Sequence, residues 1–218
     1  MAFDALEAMP ALAPLDFFSV ATPVRYGKAL PSSKRLKPAF FLPNTSAFLG
    51  EEAFADVALS WSEEGVVIEA TVHQPFEGAH YPRFSEGDAL ELFIDTRDLK
   101  NAGFVTRFCH HFVILPQEVQ GIRALEITHF RTEDSHPLCD PAELQVDFAF
   151  DKKSYWLRAV IPASCLHGYD PDHFDRLGFT YRLNRPHGGP QHFALRSHDW
   201  GIDQNPRLWA TLKLEKSS

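Results

Sequence analysis

A chain of 218 residues with 44% hydrophobic residues carries enough apolar material for a full core, and its length suits one domain. Its formal charge of −8, with no basic stripe, excludes a nucleic-acid backbone as partner, because phosphate affinity needs clustered Lys and Arg. No stretch approaches the ~18 consecutive apolar residues of a membrane-spanning helix, so no membrane partner is expected.

Cys109, Cys139 and Cys165 are odd in number and widely spaced, with no Cys-x-x-Cys pair. This argues against a disulfide framework and for a reducing compartment. Met1 to Val20 opens with Asp4 and Glu7 and lacks the basic start and unbroken apolar run of a secretory signal. A cytoplasmic location is the expectation.

Residues 1–50 are rich in Pro and Ala and read as an arm packing on the domain that follows, over 51–218. Ala2 to Met9 has the composition of a short helix, after which prolines forbid regular helix. Asp16 to Val24 and Lys37 to Leu42 are candidate edge strands or extended cover. From Ala55 to Trp61, Val57, Leu59 and Trp61 alternate with Asp56, Ala58 and Ser60. Turn chemistry at Ser62-Glu63-Glu64-Gly65 then leads into Val66 to His73, predicting a hairpin. A loop over 74–86, carrying His80, Tyr81, Arg83 and Phe84, precedes the strand Asp88 to Asp95. There Leu90, Leu92 and Ile94 face one way, and Glu91, Phe93 and Asp95 form a row on the other, expected to look outward.

Further strands are predicted at Phe108 to Leu115, Ile122 to Arg131, Leu144 to Phe150, Tyr155 to Ile161 and Leu177 to Asn184. His192 to Arg196 and Leu208 to Leu214 close the chain, and Pro162 to Leu166 reads as one helical turn. Short strands at intervals of about ten residues, without long helices between them, predict an all-β sandwich or barrel.

Chemistry-bearing motifs are few. In Cys109-His110-His111 the two imidazoles point to opposite faces of a strand and cannot share an ion, and no metal ligand set is assigned. Ser85, Ser164 and Cys165 lack a nucleophile signature. Glu91 and Asp95 sit at a spacing that does not exclude glycoside hydrolysis. An outward row with Asp88 and Asp98 nearby offers no means of keeping one acid protonated and the other ionised, so no enzyme activity is expected. No cofactor is expected, although the loops at Asp95-Thr96-Arg97-Asp98 and Asp170-Pro171-Asp172 are oxygen-rich enough for a structural Ca²⁺. Trp200, in a Gly- and Asp-flanked loop, is a candidate exposed ring, and such rings stack on the faces of sugars.

The run from Asp56-Val57-Ala58-Leu59-Ser60-Trp61 through Gly87-Asp88-Ala89-Leu90-Glu91-Leu92-Phe93-Ile94-Asp95 resembles family 9 carbohydrate-binding modules and their DOMON-like relatives. So does the ending, in which Trp200 and Asp203 precede Leu208-Trp209-Ala210-Thr211-Leu212. The resemblance covers roughly residues 54–214 and implies a jelly-roll-like antiparallel β-sandwich of two sheets. It also implies a terminal sugar gripped between two rings, with an acid at Glu91 and a basic residue in the next strand. Trp200 matches the second ring; Tyr81 and Phe84 stand where the first belongs, and His110 or His111 falls near the basic position.

Two functions follow as expectations. One is a non-catalytic module binding a saccharide or similar polar small ligand through Trp200, Glu91, Phe84, Tyr81, His110 and His111. The alternative is a structural or interaction domain, with a protein partner or a homodimer formed through the N-terminal arm.

Overall fold

The computed structural model describes residues 19–27 and 35–216. The helix expected at Ala2 to Met9 falls outside them. The described residues hold eleven strands: β1 Ala21–Tyr26, β2 Ala55–Ser62, β3 Gly65–Val72, β4 Ala89–Asp95, β5 Cys109–Val119, β6 Ile122–Glu126, β7 Gln145–Phe150, β8 Tyr155–Pro162, β9 Arg176–Asn184, β10 Gln191–His192 and β11 Ala210–Glu215. Among the described residues, helix is confined to single turns such as Ser46–Leu49 and Ser197–Trp200 and to short 3-10 pieces, among them Ala163–Cys165 after Pro162. The protein is all-β.

The strands do not divide into two antiparallel sheets. They form one continuous sheet in the order β6-β5-β4-β9-β11-β1-β2-β3-β8-β7, with β10 added to β9. The two ends of that order, β6 and β7, come against one another, so the sheet is curled almost into a barrel. Nor is it purely antiparallel, because β1 runs parallel to both β11 and β2. Asp16 to Val24 was expected as an edge strand or extended cover, yet its described part enters β1, which joins the two halves of the sheet. Its burial alternates, with Thr22 and Val24 inward, which is the pattern of a strand covered on one face only.

Period-two alternation decides what goes inside. Val57, Leu59 and Trp61 of β2, Val66, Ile68 and Ala70 of β3, and Leu157, Ala159 and Ile161 of β8 meet Leu90, Leu92 and Ile94 of β4 and Phe179, Tyr181 and Leu183 of β9 in one core. The β2–β3 hairpin closes through Glu63-Glu64, with Ser62 paired to Gly65. Gly65 is required there: its φ is +138°, and an added Cβ would lie 2.2 Å from the Ile161 carbonyl oxygen.

The cysteine arithmetic needs correction. Cys139 and Cys165 are disulfide-bonded across a separation of 26 residues, and Cys109 alone is free and buried. An odd total excludes complete pairing, not one bridge, and spacing says nothing about two thiols brought together by β6–β8.

Candidate functional site

The outer face of β4, β5 and β9 carries the polar chemistry. Register places Glu91 opposite Arg182 of β9 and Val113 of β5, and Phe93 opposite His111 and Thr180. The row does not look into solvent. Glu91 and Phe93 are both fully buried, and Asp95 nearly so. A second layer covers the sheet: Val105, Leu195, Ile202, Leu208 and Trp209 pack with Phe93 at one end. Tyr81 and Phe84 pack over Ala89, Val113 and Leu115 at the other.

Between these apolar caps lies a charged centre. Arg182 grips Glu91 with a two-pronged contact, Nε donating to Oε1 at 2.6 Å and Nη2 to Oε2 at 2.7 Å. Asn184 Nδ2 donates to Oε1 at 2.6 Å, and His111 Nε2 lies 2.9 Å from Oε2. A carboxylate offers about four lone-pair positions, and here all are taken. Burial pushes the Glu91 carboxyl up, but the His111 and Arg182 hydrogen bonds and the Arg182 charge outweigh it and hold the acid down at about 2. The imidazole of His111 also stacks on Phe93, centroids 4.1 Å apart. On its open side Arg182 reaches Asp203, 3.3 Å from Nη1 to Oδ1. Glu91 is therefore a base plate that orients Arg182, His111 and Asn184, and only the outer edges of Arg182 and His111, with half-exposed Asp203, meet solvent.

Asp88 and Asp95 serve as turn acceptors. Asp88 takes the amides of Glu77 and Gly78 and the Tyr155 hydroxyl. Asp95 takes those of Arg97 at 2.9 Å and Leu99 at 2.7 Å. Burial raises both acids. The environments of Glu91 and Asp95 are thus pushed apart, contrary to the expectation from an outward row. Asp95 is nevertheless enclosed beneath its own turn, with Phe93 between it and Glu91.

The expected residues separate in space. Glu91 and His111 meet. His110 points to the opposite face, where it contacts Glu126. Tyr81 and Phe84 belong to the apolar cap over Ala89 rather than to a free ring platform. Trp200 stands apart, 45% exposed, on the wall of a cleft of about 550 Å³ that it shares with Phe48, Leu49, Val20 and Leu195. Phe48, 91% exposed, is the second large ring there, and sequence reading did not single it out. Leu195 ties this cleft to the Phe93 cluster, and the segment from Trp200 to Asp203 ties it to Arg182. A smaller, polar cleft of about 290 Å³ adjoins at Arg196 and is walled by Glu51, Glu52, His192, Ser197 and His198. Arg182 and Asn184 were also missed, although Tyr181-Arg182-Leu183-Asn184 alternates cleanly and signals two polar side chains on one face.

No protein-family model matches the sequence, and no curated protein matches it either. Solved structures do. A family 9 carbohydrate-binding module from Caldicellulosiruptor kristjanssonii in complex with glucose superposes with a TM-score of 0.64 at 15% identity, over 91% of this chain and 97% of that one. The same kind of module in complex with cellotriose gives 0.61 at 16% identity, over 91% and 95%. A candidate carbohydrate-binding protein from Bacteroides uniformis gives 0.57 at 10%, over 91% and 100%. The chain resembles family 9 carbohydrate-binding modules in fold. At these identities the resemblance is one of fold alone.

Proposed function

We propose that this protein is a non-catalytic binding module for a saccharide or a similar polar small ligand. The observation that carries the reading is the pair of exposed rings, Trp200 and Phe48, on one cleft of about 550 Å³ beside the polar cleft at Arg196. Sugars present apolar C–H faces and hydroxyl edges, so an aromatic wall next to carboxylates and imidazoles suits both. The neighbours in complex with glucose and cellotriose support the same ligand class. Glu91, buried under Arg182, His111 and Asn184, lines neither cleft, and the reading does not rest on a direct carboxylate grip by it.

The absence of catalysis is part of this proposal. Glu91 is saturated and held ionised, so it has no proton to deliver at neutral pH, and Asp95 is enclosed. The alternative, an interaction domain or homodimer built on the N-terminal arm, is weakened because the described part of that arm is committed to its own sheet through β1. Residues 1–18 and 28–34 of the arm lie outside the described part. The Cys139–Cys165 bridge favours an oxidising compartment over the cytoplasm, since cytosolic thiols are kept reduced.

Tryptophan fluorescence and calorimetry with a panel of mono- and oligosaccharides, glucose and cellotriose included, test the proposal. Binding to at least one sugar, lost in Trp200→Ala and weakened in Phe48→Ala, is expected. Silence across the panel, or undiminished binding in Trp200→Ala, refutes it.

A further inference from the structure

On the core side of β5, away from the cleft, three buried side chains converge. His110 Nδ1 and His136 Nε2 each lie 2.9 Å from Glu126 Oε1. One ligand atom from each residue falls within a sphere in which all are within 4.8 Å of one another. The side chains are at most 1% exposed. His110 comes from β5, Glu126 from the end of β6, and His136 from the loop between β6 and β7, so three separate segments meet here.

Proton counting shows that this is more than a hydrogen-bonded knot. His136 Nδ1 sits 2.6 Å from the Arg107 carbonyl oxygen, which only accepts, so Nδ1 carries hydrogen. Nε2 of the same ring faces the Glu126 carboxylate, which also only accepts when ionised. Thr128 Oγ1 donates to the same Oε1 at 2.6 Å, so that oxygen makes three close polar contacts where it has about two lone pairs. The other oxygen is occupied by the Cys139 amide at 2.8 Å. The second nitrogen of His110, Nε2, is buried with no hydrogen-bond partner. A cation other than a proton between the two imidazoles and Oε1 removes the crowding.

We infer that His110 Nδ1, Glu126 Oε1 and His136 Nε2 form a binding site for a single Zn²⁺ ion. Two imidazoles and one carboxylate favour zinc over calcium or magnesium, which seek oxygen cages. Tetrahedral zinc places its ligand atoms about 3.3 Å apart, so Oε1 moves back by a few tenths of an ångström and the nitrogens close in around the ion. Ligation requires the lone pair of His110 Nδ1 and of His136 Nε2, so whatever hydrogen either nitrogen carries is displaced. The outer contacts are already in place: Nδ1–H of His136 on the Arg107 carbonyl, and Thr128 and Cys139 on the carboxylate. Enclosure on all sides makes the site structural. It fastens the β6–β7 loop to β5, next to the disulfide that fastens the same loop to the turn after β8.

The test uses the full chain stripped with a chelator and titrated with zinc chloride alone, and in parallel with Co²⁺ as a visible probe. One Zn²⁺ per chain is expected, with a higher thermal midpoint and Co²⁺ bands that one equivalent of Zn²⁺ abolishes. His136→Gln should weaken zinc at least ~100-fold, more than loss of a supporting residue alone, while His129→Gln, at an exposed position, leaves it unchanged. Should His136→Gln fail to fold, ¹⁵N NMR of the wild-type rings replaces it, with metal expected on Nδ1 of His110 and Nε2 of His136. The exposed pairs His73–Asp56, His173–Asp170 and His187–Glu77 are competing surface sites. No stoichiometric uptake overturns the inference, as does uptake that survives His136→Gln undiminished.

Discussion

Arg182→Met separates the electrostatic role of the Glu91 centre from its packing, because Met keeps the stem and discards the guanidinium. In the native protein the Glu91 carboxyl falls from 4.5 to about 2. At ~1.4 kcal/mol per unit, that drop is worth about 3 kcal/mol of folding stability. Its folded pKa is depressed, so this contribution is complete above pH 4.5 and is lost as pH falls through about 2. Removing Arg182 takes away both prongs of the contact and leaves a buried carboxylate with His111 and Asn184 only. Loss of one partner from a buried ion pair typically costs ~3–5 kcal/mol; with two donors left, about 3 kcal/mol at pH 7 is the expected value. The penalty should shrink in acid, because the variant's Glu91 protonates more readily and has less to lose. Glu126, also held at about 2, titrates alike in both proteins and cancels from the difference. Urea unfolding at pH 7 and pH 3.5 with matched slopes gives both numbers. In Arg182→Met/Glu91→Gln, at least half of the loss should return. A deficit below about 0.5 kcal/mol at pH 7, or an equal deficit at both pH values, refutes the assignment of Glu91 as a buried, Arg-held anion.

Two further outcomes rest on the cysteines. Breaking the Cys139–Cys165 bridge with Cys139→Ser/Cys165→Ser opens a 26-residue loop and should cost about 3.5 kcal/mol on loop-closure entropy, read as a lower denaturation midpoint with the fold retained; no change would mean that the bridge does not form in the native protein. Cys109 is buried, and its thiol is pushed up to about 12 first by burial and then by the nearby Asp95 charge. Native protein should therefore resist iodoacetamide at pH 8 and react at one cysteine per chain only on unfolding; rapid labelling of the native state would contradict the packing around β5.

The strands were legible because each carries its own period-two code. Val66, Ile68 and Ala70 in β3 or Leu90, Leu92 and Ile94 in β4 declare an inner face without reference to the rest of the chain. Sheet order is not written in that code. That β1 sits between β11 and β2, parallel to both, depends on which open edges remain after the other strands have paired, and a proline-bearing segment shows no local mark of being central. Two sheets were expected where one curled sheet forms for the same reason. The faces are identical in the two architectures, and only the pairing of β1 distinguishes them.

The site was half legible for a related reason. Alternation correctly placed Glu91, Phe93 and Asp95 on one face but could not say whether that face met water, because burial came from Ile202, Leu208 and Trp209, more than a hundred residues away. Once buried, an acid needs partners, and they had to come from the flanking strands at matching register: His111 on one side, Arg182 and Asn184 on the other. A buried carboxylate on a central strand is in effect a demand for an Arg or a pair of donors on a neighbour. Searching each predicted strand for Arg-x-Asn alternation would have found Arg182 before any coordinates did. His110 obeys the same logic on the inner face, where its partners Glu126 and His136 lie on a strand end and a loop. There the alternation could separate His110 from His111 but could not bring His136 to it. Tertiary closure of the β6–β7 loop did that, which is why the cluster with the strongest metal-binding chemistry left no spacing motif in the sequence.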